Sequence, residues 1–236
     1  GEGFFGGFTD SVVKGQYNVE GGQVSTGSVL MWFKDNFAKD IVAAAEQTGL
    51  SPYDLLGQKA KNEPIGSDGL IINEYFQGNR TPYTDSKARG MIWGLTLAHG
   101  PEHFYHAIQE SVAYGTAHNL EVMKAQGFEV KEMVAAGGAT QSREWMQMHA
   151  DVSGVPISLT QVGDAVALGS SMLAAVGAGL YPDIQTAAEN MVHEIDRLEP
   201  NQERHEEYQF YLKQYMAGYP QMQELIHATV DHESQA

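Results

Sequence analysis

Met133-Val-Ala-Ala-Gly137-Gly138-Ala-Thr140-Gln141-Ser142-Arg-Glu-Trp145-Met-Gln147-Met-His-Ala150-Asp151-Val-Ser-Gly154-Val-Pro156-Ile is the stretch whose reading decides the fold. A short apolar run ends in a glycine pair, small polar residues follow, and an amphipathic segment leads through Gly154 into a second apolar run. That order predicts a strand at about 130–136, a helix at about 141–153 and a strand at 155–159, the repeating unit of an α/β layer protein. Paired glycines between a buried strand and a helix start leave no Cβ in the way of a ligand approaching the backbone. A tight turn with no ligand explains the same pair, so the neighbouring segments have to decide.

Upstream, Gly15–Glu20 reads as a strand closed by Gly21-Gly22, and Ser25-Thr26-Gly27-Ser28 opens a helix. This is a second strand-to-helix junction of the same kind. The helix is expected to run on through Val29, Leu30, Trp32, Phe33, Phe37, Ile41, Val42 and Ala45, capped by Ser25 or Thr26 and stopped by Gly49. Ser51 with Pro52 and Asp54 marks the next helix start. Leu70–Phe76 is β-type, and Gln77–Pro82 reads as a loop. The longest helical pattern runs from Pro101 to Gln126 and ends at Gly127. Asp164–Gly179 is a helix of very small residues, and a polar helical tail from about Pro200 to His232 carries Tyr208, Tyr211, Leu212 and Tyr215 as anchors. No repeat, low-complexity linker or internal boundary divides the chain.

The 236 residues suffice for one large domain with a real core. Lys and Arg number 14 against 30 Asp and Glu, a formal charge of -16 that repels phosphate backbones and argues against nucleic acid and anionic membrane as partners. The chain has no cysteine, hence no disulfide framework and no thiolate chemistry, as suits a reducing compartment. With no leader-like or membrane-spanning run, a cytoplasmic location is expected.

Gly1-Glu-Gly3-Phe-Phe-Gly6 matches a dinucleotide fingerprint in letters but lacks the preceding strand and following helix that give it meaning. Neither a phosphate-binding loop ending in Gly-Lys-Ser/Thr nor a Gly-x-Ser-x-Gly elbow occurs. His103 and His106 stand one helical turn apart with no third ligand at suitable spacing, so no metal site is expected from them. Glu110, Asp151 and Asp164 are acids for which capping and salt bridging are the default roles.

Gly137-Gly138-Ala-Thr-Gln-Ser142, with Gln147, Ala150-Asp151-Val, Gly154 and Pro156-Ile, resembles the C-terminal signature of the FGGY carbohydrate kinases. Gln77-Gly-Asn-Arg80-Thr-Pro82, Arg89-Gly90, Gly94-Leu95-Thr96, Glu110-Ser-Val-Ala113-Tyr, Ala165-Val-Ala-Leu168-Gly169, Ala178-Gly179-Leu-Tyr-Pro182 and the spaced tyrosines of the tail agree in the family's order. The resemblance implies an α/β, ribonuclease-H-like (actin-like ATPase) domain, the C-terminal half of a two-domain sugar kinase. Residues 1–232 would form this adenosine-side domain, its first phosphate-binding hairpin absent, and 233–236 a polar tail. It further implies phosphorylation of a sugar or polyol hydroxyl, in xylulokinase or ribulokinase manner, with ATP and Mg²⁺. Gly27 and Met31 would contact the nucleotide, and Gly137, Gly138 and Ser142 would lie at adenine and ribose; Met31 is apolar where glycerol kinase carries an amide. The catalytic base belongs to the family's N-terminal half, so none is expected here, and the sugar would reach the chain through that half. A lone domain that binds adenine nucleotide without turnover, or a plain interaction module, is the alternative, and a homodimer is left open.

Overall fold

A computed structural model describes residue 3 and residues 5–235. Its centre is α4 (Pro101–Ala125), the helix expected from the longest apolar stripe, with Ala107, Ile108, Val112, Ala113 and Ala117 all buried. Gly127, at φ +91°, ends the turn that follows it. Around α4 pack α1 (Gly27–Phe37), α3 (Pro52–Ala60), β3 (Ile71–Asn73), α5 (Arg143–Ser153) and α8 (Gln202–Glu233).

Three small sheets surround this helical centre. The hairpin β1 (Phe5–Thr9) and β2 (Tyr17–Glu20) is antiparallel, and so is β3 with β4 (Met91–Trp93). The third sheet contains the decisive stretch. In it β5 (Met133–Ala135) runs parallel to β6 (Ile157–Thr160) with α5 as the crossover, and β7 (Glu194–Leu198) adds antiparallel to β6. α6 (Ala165–Gly177) and α7 (Ile184–Met191) pack on each other between β6 and β7. On α8 the stripe Tyr208, Leu212, Tyr215, Tyr219 is buried at helical spacing, so this long tail is core and not an appendage.

Four expectations need correction. The helix expected to run from Thr26 to Gly49 is broken at Ala38 (φ -123°, ψ 38°) into α1 and α2 (Lys39–Thr48). With the break in place, Phe33 stacks on Phe104 of α4, and Ile41 and Ala45 are buried on the second segment. Neither Ser25 nor Thr26 caps α1: Thr26 makes no side-chain cap bond, and the buried Ser25 hydroxyl has no recorded partner. β1, β4, α7 and β7 lie outside the elements expected from the sequence. Finally, α8 continues through Glu233, one residue into the expected tail. The Gly1–Gly6 fingerprint lies partly outside the described residues, and Gly6 itself sits in β1. Among the described residues no helix is long and apolar enough to cross a membrane.

Candidate functional site

The first glycine junction connects β2 to α1. Gly22 exchanges two hydrogen bonds with Thr81: its N–H donates to Thr81 Oγ1 (3.1 Å), and Thr81 N–H donates to its carbonyl (3.2 Å). The Gln23 amide then donates to Glu74 Oε1 and to the carbonyl of Val112, both at 3.1 Å, and accepts from Thr116 Oγ1 at 3.0 Å. Beyond this knot α1 starts bare, with no side-chain cap and no acid in its first turn. Among the described residues no group is recorded as accepting from the N–H groups of Gly27 and Ser28. A helix start in this condition carries unsatisfied donors and the positive end of the dipole. A Cβ placed on Gly27 would meet nothing within 4 Å. Met31, one turn on and on the same face, is 52% exposed.

The second junction connects β5 to α5. Gly137 adopts φ +91°, donates to the carbonyl of Gly163 (2.8 Å), and accepts at its own carbonyl from Thr140 N–H (3.1 Å) and Thr140 Oγ1 (2.7 Å). Ser142 caps α5 by accepting from Trp145 N–H (3.2 Å), and Glu144 stands in the first turn. Neither Gly137 nor Gly138 has any atom within 4 Å of the place a Cβ would take, so both present bare backbone to open space.

Both junctions are fastened to one stretch of α4. Trp145 Nε1 donates to the carbonyl of Gln109 (3.0 Å), while Gln23 reaches Val112 and Thr116. At 1.5 Å per residue these attachment levels lie about 5–10 Å apart along α4. Gln23 lies beside Val112 and Phe33 beside Phe104, so α1 runs antiparallel to α4. The structure thus sets Gly27 and Met31 on one flank of α4 and the Gly137–Ser142 turn on another, at neighbouring levels.

The remaining polar candidates are structural in their contacts. Asp164 caps α6 by accepting from Ala167 N–H (2.9 Å). Asp151, fully buried, accepts from Arg204 Nε, Asn201 N–H and Gln147 Nε2 at 2.8–2.9 Å and ties α5 to α8. Glu110, also buried, accepts from Gly66 N–H (2.7 Å) and Ser67 Oγ (2.8 Å), leaving His106 Nδ1 to donate to that hydroxyl at 2.9 Å. Burial pushes the Glu110 carboxyl up to about 8 and holds His106 down at about 4. Glu74, held by Gln23 and by Tyr215 Oη (2.8 Å), is pushed up by burial to about 7.

His103 and His106 do not form one site. His103 instead meets Glu63, 3.2 Å from Nε2, and with Glu63 and Glu102 offers three ligand atoms within 4.8 Å of one another, a grouping the helical spacing did not reveal. However, His103 Nδ1 accepts from Gly100 N–H (3.0 Å), which puts the ring proton on Nε2, facing the carboxylate. The contact is a hydrogen bond in this arrangement. What sequence reading missed at the first junction is the role of Gln23, Glu74, Thr81 and Thr116, whose bonds join residues 51 to 93 positions apart.

One open glycine turn, at Gly137-Gly138, and one bare helix start, at Gly27, are what the two junctions offer a ligand. Residues 1–178 match the model of the FGGY family of carbohydrate kinases, C-terminal domain, and the chain belongs to that family. It is 35% identical over 188 residues to a ribulokinase of Bacillus licheniformis, covering 77% of this chain and 34% of that protein. Among solved structures it is similar to xylulose kinase from Rhodospirillum rubrum (TM-score 0.75, 29% identity, covering 91% of this chain and 42% of that one). It also shares the fold of Plasmodium falciparum glycerol kinase, solved with ADP (TM-score 0.66, 19% identity, covering 84% of this chain and 38% of that one). The actin-like ATPase fold expected from the sequence is the fold of these neighbours. The chain spans about a third to two-fifths of the length of the relatives it matches.

Proposed function

We propose that this chain is the adenosine-side half of an ATP-dependent sugar kinase whose acceptor is a pentulose. The observation that carries the reading is the bare backbone at Gly27, Gly137 and Gly138, where no Cβ and no neighbouring atom occupies the space. An acidic protein of formal charge -16 has little attraction to offer a polyanion through its surface as a whole. Backbone N–H groups at the uncapped start of α1 supply that attraction locally. The relatives named for xylulose and ribulose kinases support a pentulose acceptor.

In this reading the Gly137–Ser142 turn receives adenine and ribose, and the start of α1 with Gly27 and Met31 receives the rest of the nucleotide. Mg²⁺ supplies charge neutralisation on the polyphosphate. What these residues contribute is orientation, which can be worth ~7–11 kcal/mol in a transfer reaction. The base that takes the hydroxyl proton, worth roughly 10²–10⁴ in rate, is assigned to the other half of the kinase, and the sugar reaches the chain through it. A cytoplasmic setting goes with use of ATP.

The test compares the 236-residue chain with a version extended by the family's N-terminal half, assaying ADP release against a panel of ketoses and polyols. The isolated chain is expected to bind ADP weakly and to show no sugar-dependent turnover, and the extended one to phosphorylate xylulose or ribulose. Turnover by the isolated chain at an ordinary kinase rate would overturn the division of labour. Absence of ADP binding in both would overturn the nucleotide reading.

A further inference from the structure

Gln23 is the most completely satisfied side chain around either junction, and nothing in the proposed nucleotide contacts accounts for it. Its amide spends both N–H donors, on Glu74 Oε1 (3.1 Å) and the Val112 carbonyl (3.1 Å), and its oxygen accepts from Thr116 Oγ1 (3.0 Å). Only one orientation of the amide works, since a flipped one would point its oxygen at two acceptors. The partners belong to two other parts of the chain, and one of them is itself held by a third. Glu74 follows β3, Val112 and Thr116 lie on α4, and Tyr215 of α8 donates to the same Glu74 carboxyl at 2.8 Å. Thr81 holds the adjacent Gly22 from a further loop, by the reciprocal pair at 3.1 and 3.2 Å. Past Gln23 the chain has only Val24, Ser25 and Thr26 before Gly27, with no cap and no recorded side-chain bond to define where the helix begins.

We propose that Gln23 is the positioning residue of the α1 nucleotide turn: by locking the segment just before an otherwise unanchored helix start to α4 and to the Glu74–Tyr215 pair, it sets where the free N–H groups of Gly27 and Ser28 point. This rests on the nucleotide reading above. The carboxamide acts through the backbone and touches no ligand. Leaving its position to a shorter side chain frees residues 24–28 to sample other arrangements, and the affinity falls because the bound arrangement is then only a fraction of the population. The same loss takes one donor each from the Val112 carbonyl and Glu74, which keep Thr116 Oγ1 and Tyr215 Oη, a modest stability cost separable from the affinity cost.

The test uses the whole chain with MgADP as probe, titrated calorimetrically, and amide hydrogen exchange over residues 24–28. Gln209→Ala serves as the matched control, since Gln209 Nε2 also donates to a backbone carbonyl, that of Val152 (3.2 Å), at the far end of α5 from Ser142. Gln23→Ala is expected to weaken MgADP at least five-fold and to speed exchange at 24–28, while Gln209→Ala changes neither. Gln23→Glu, which sets a carboxylate against Glu74, should lose as much, and Gln23→Glu with Glu74→Gln should regain part of it by restoring an amide–carboxyl bond between the same positions. That rescue keeps the proposal testable where Gln23→Ala folds poorly. Equal MgADP affinity in folded Gln23→Ala and the unaltered chain would overturn it. Failure of the unaltered chain itself to bind MgADP would sink the nucleotide reading instead, and unchanged exchange at 24–28 in Gln23→Ala would then overturn the anchoring claim on its own.

Discussion

The two glycine junctions look alike in sequence and are built on opposite plans. At Gly21-Gly22-Gln23 the turn is tied through buried side chains to α4, to the loop at Thr81 and, by way of Glu74, to α8, and the helix that follows starts bare. At Gly137-Gly138 the turn itself is tied by backbone and Thr140, with Gly163 from beyond β6; only the helix that follows reaches α4, through Trp145, and that helix is capped by Ser142 and carries Glu144 in its first turn. One junction is held by buried side chains of the core; the other is held mainly by main-chain bonds around the turn. Their electrostatics differ in the same sense. The bare start of α1 favours an anion, while the capped start of α5 with its acid favours a neutral group. In the proposed function phosphate lies on the first side, and base and ribose on the second.

The largest expected effect comes from striking the core that holds the first junction. Gly115 lies inside α4, where alanine ordinarily gains up to ~1 kcal/mol. Here its Cβ would come within 2.2 Å of Gln23 Nε2 and 2.5 Å of Glu74 Oε1. Gly115→Ala is therefore expected to cost about 1–3 kcal/mol as overpacking, read as a lower urea midpoint, and to weaken ADP as well. A neutral or stabilising result would show that the Gln23 knot is loose.

Next comes pH. Glu74 and Glu110 have folded pKa values raised by burial to about 7 and about 8, so their contribution is complete below the ordinary value of 4.5 and is lost as pH rises through the folded values. The buried His106 and His118, held down at about 4 by burial, act the other way below pH 6.5. Above pH 6.5 the opposition of these two fades, and it is nearly gone by about pH 7.5. Stability between about pH 6.5 and 8 should fall, with a slope approaching ~1.4 kcal/mol per pH unit for each group well below its folded value and about half that at it. Glu74→Gln should flatten the lower part of that window and Glu110→Gln the upper part. Stability that stays level from pH 6.5 to 8 in the unaltered chain would refute the burial argument for both.

Gly138→Val tests the second plan in isolation. Its Cβ has open space and its φ lies outside the positive region, so the folded chain should tolerate valine with little change in melting temperature. The branched carbons then fill the place assigned to adenosine, and ADP affinity is expected to fall at least tenfold, ~1.4 kcal/mol. Gly137→Ala differs, because φ +91° strains any side chain there by about 1 kcal/mol before a ligand arrives. Equal ADP affinity for Gly138→Val and the unaltered chain would remove the second junction from the site.

How far the sequence could be read follows the same division. Elements whose signals are local came through: Ser51-Pro52 opens α3 with Ser51 accepting from Tyr53 N–H (3.2 Å), α4 runs from Pro101 to Ala125, and Asp164 caps α6. The local glycine turn at 137–138 was legible for the same reason. Elements made by partners were not. β4 is three residues paired to β3, and β7 reads Glu-Ile-Asp-Arg-Leu, mostly exposed, and is a strand only because β6 offers it an edge. The break at Ala38 likewise has no proline or glycine to announce it. Gln23 is an ordinary polar residue until Glu74 and Thr116 are brought beside it.

The smallest expected effect is the sharpest test of the charge difference between the two helix starts. Ser28 is exposed in the first turn of α1, where no acid now stands. Ser28→Asp places a carboxylate at the positive end of the dipole, which should stabilise the bare start by ~0.3–1 kcal/mol and raise the melting temperature slightly. The same carboxylate occupies the field proposed for the phosphates, so ADP affinity should fall by about two- to five-fold at low salt, a Coulomb penalty of ~1 kcal/mol or less for an exposed pair. Raising ionic strength to about 0.5 M should shrink that loss, because screening acts within a few ångström at such concentrations. Gln141→Asp, an equivalent exposed change at the capped junction, should leave ADP affinity unchanged in the same buffers, since base and ribose bring no charge to it. Higher stability with weaker, salt-sensitive ADP binding for Ser28→Asp alone assigns the anion to α1; an equal loss for both variants would show that the two starts share the charged part of the ligand.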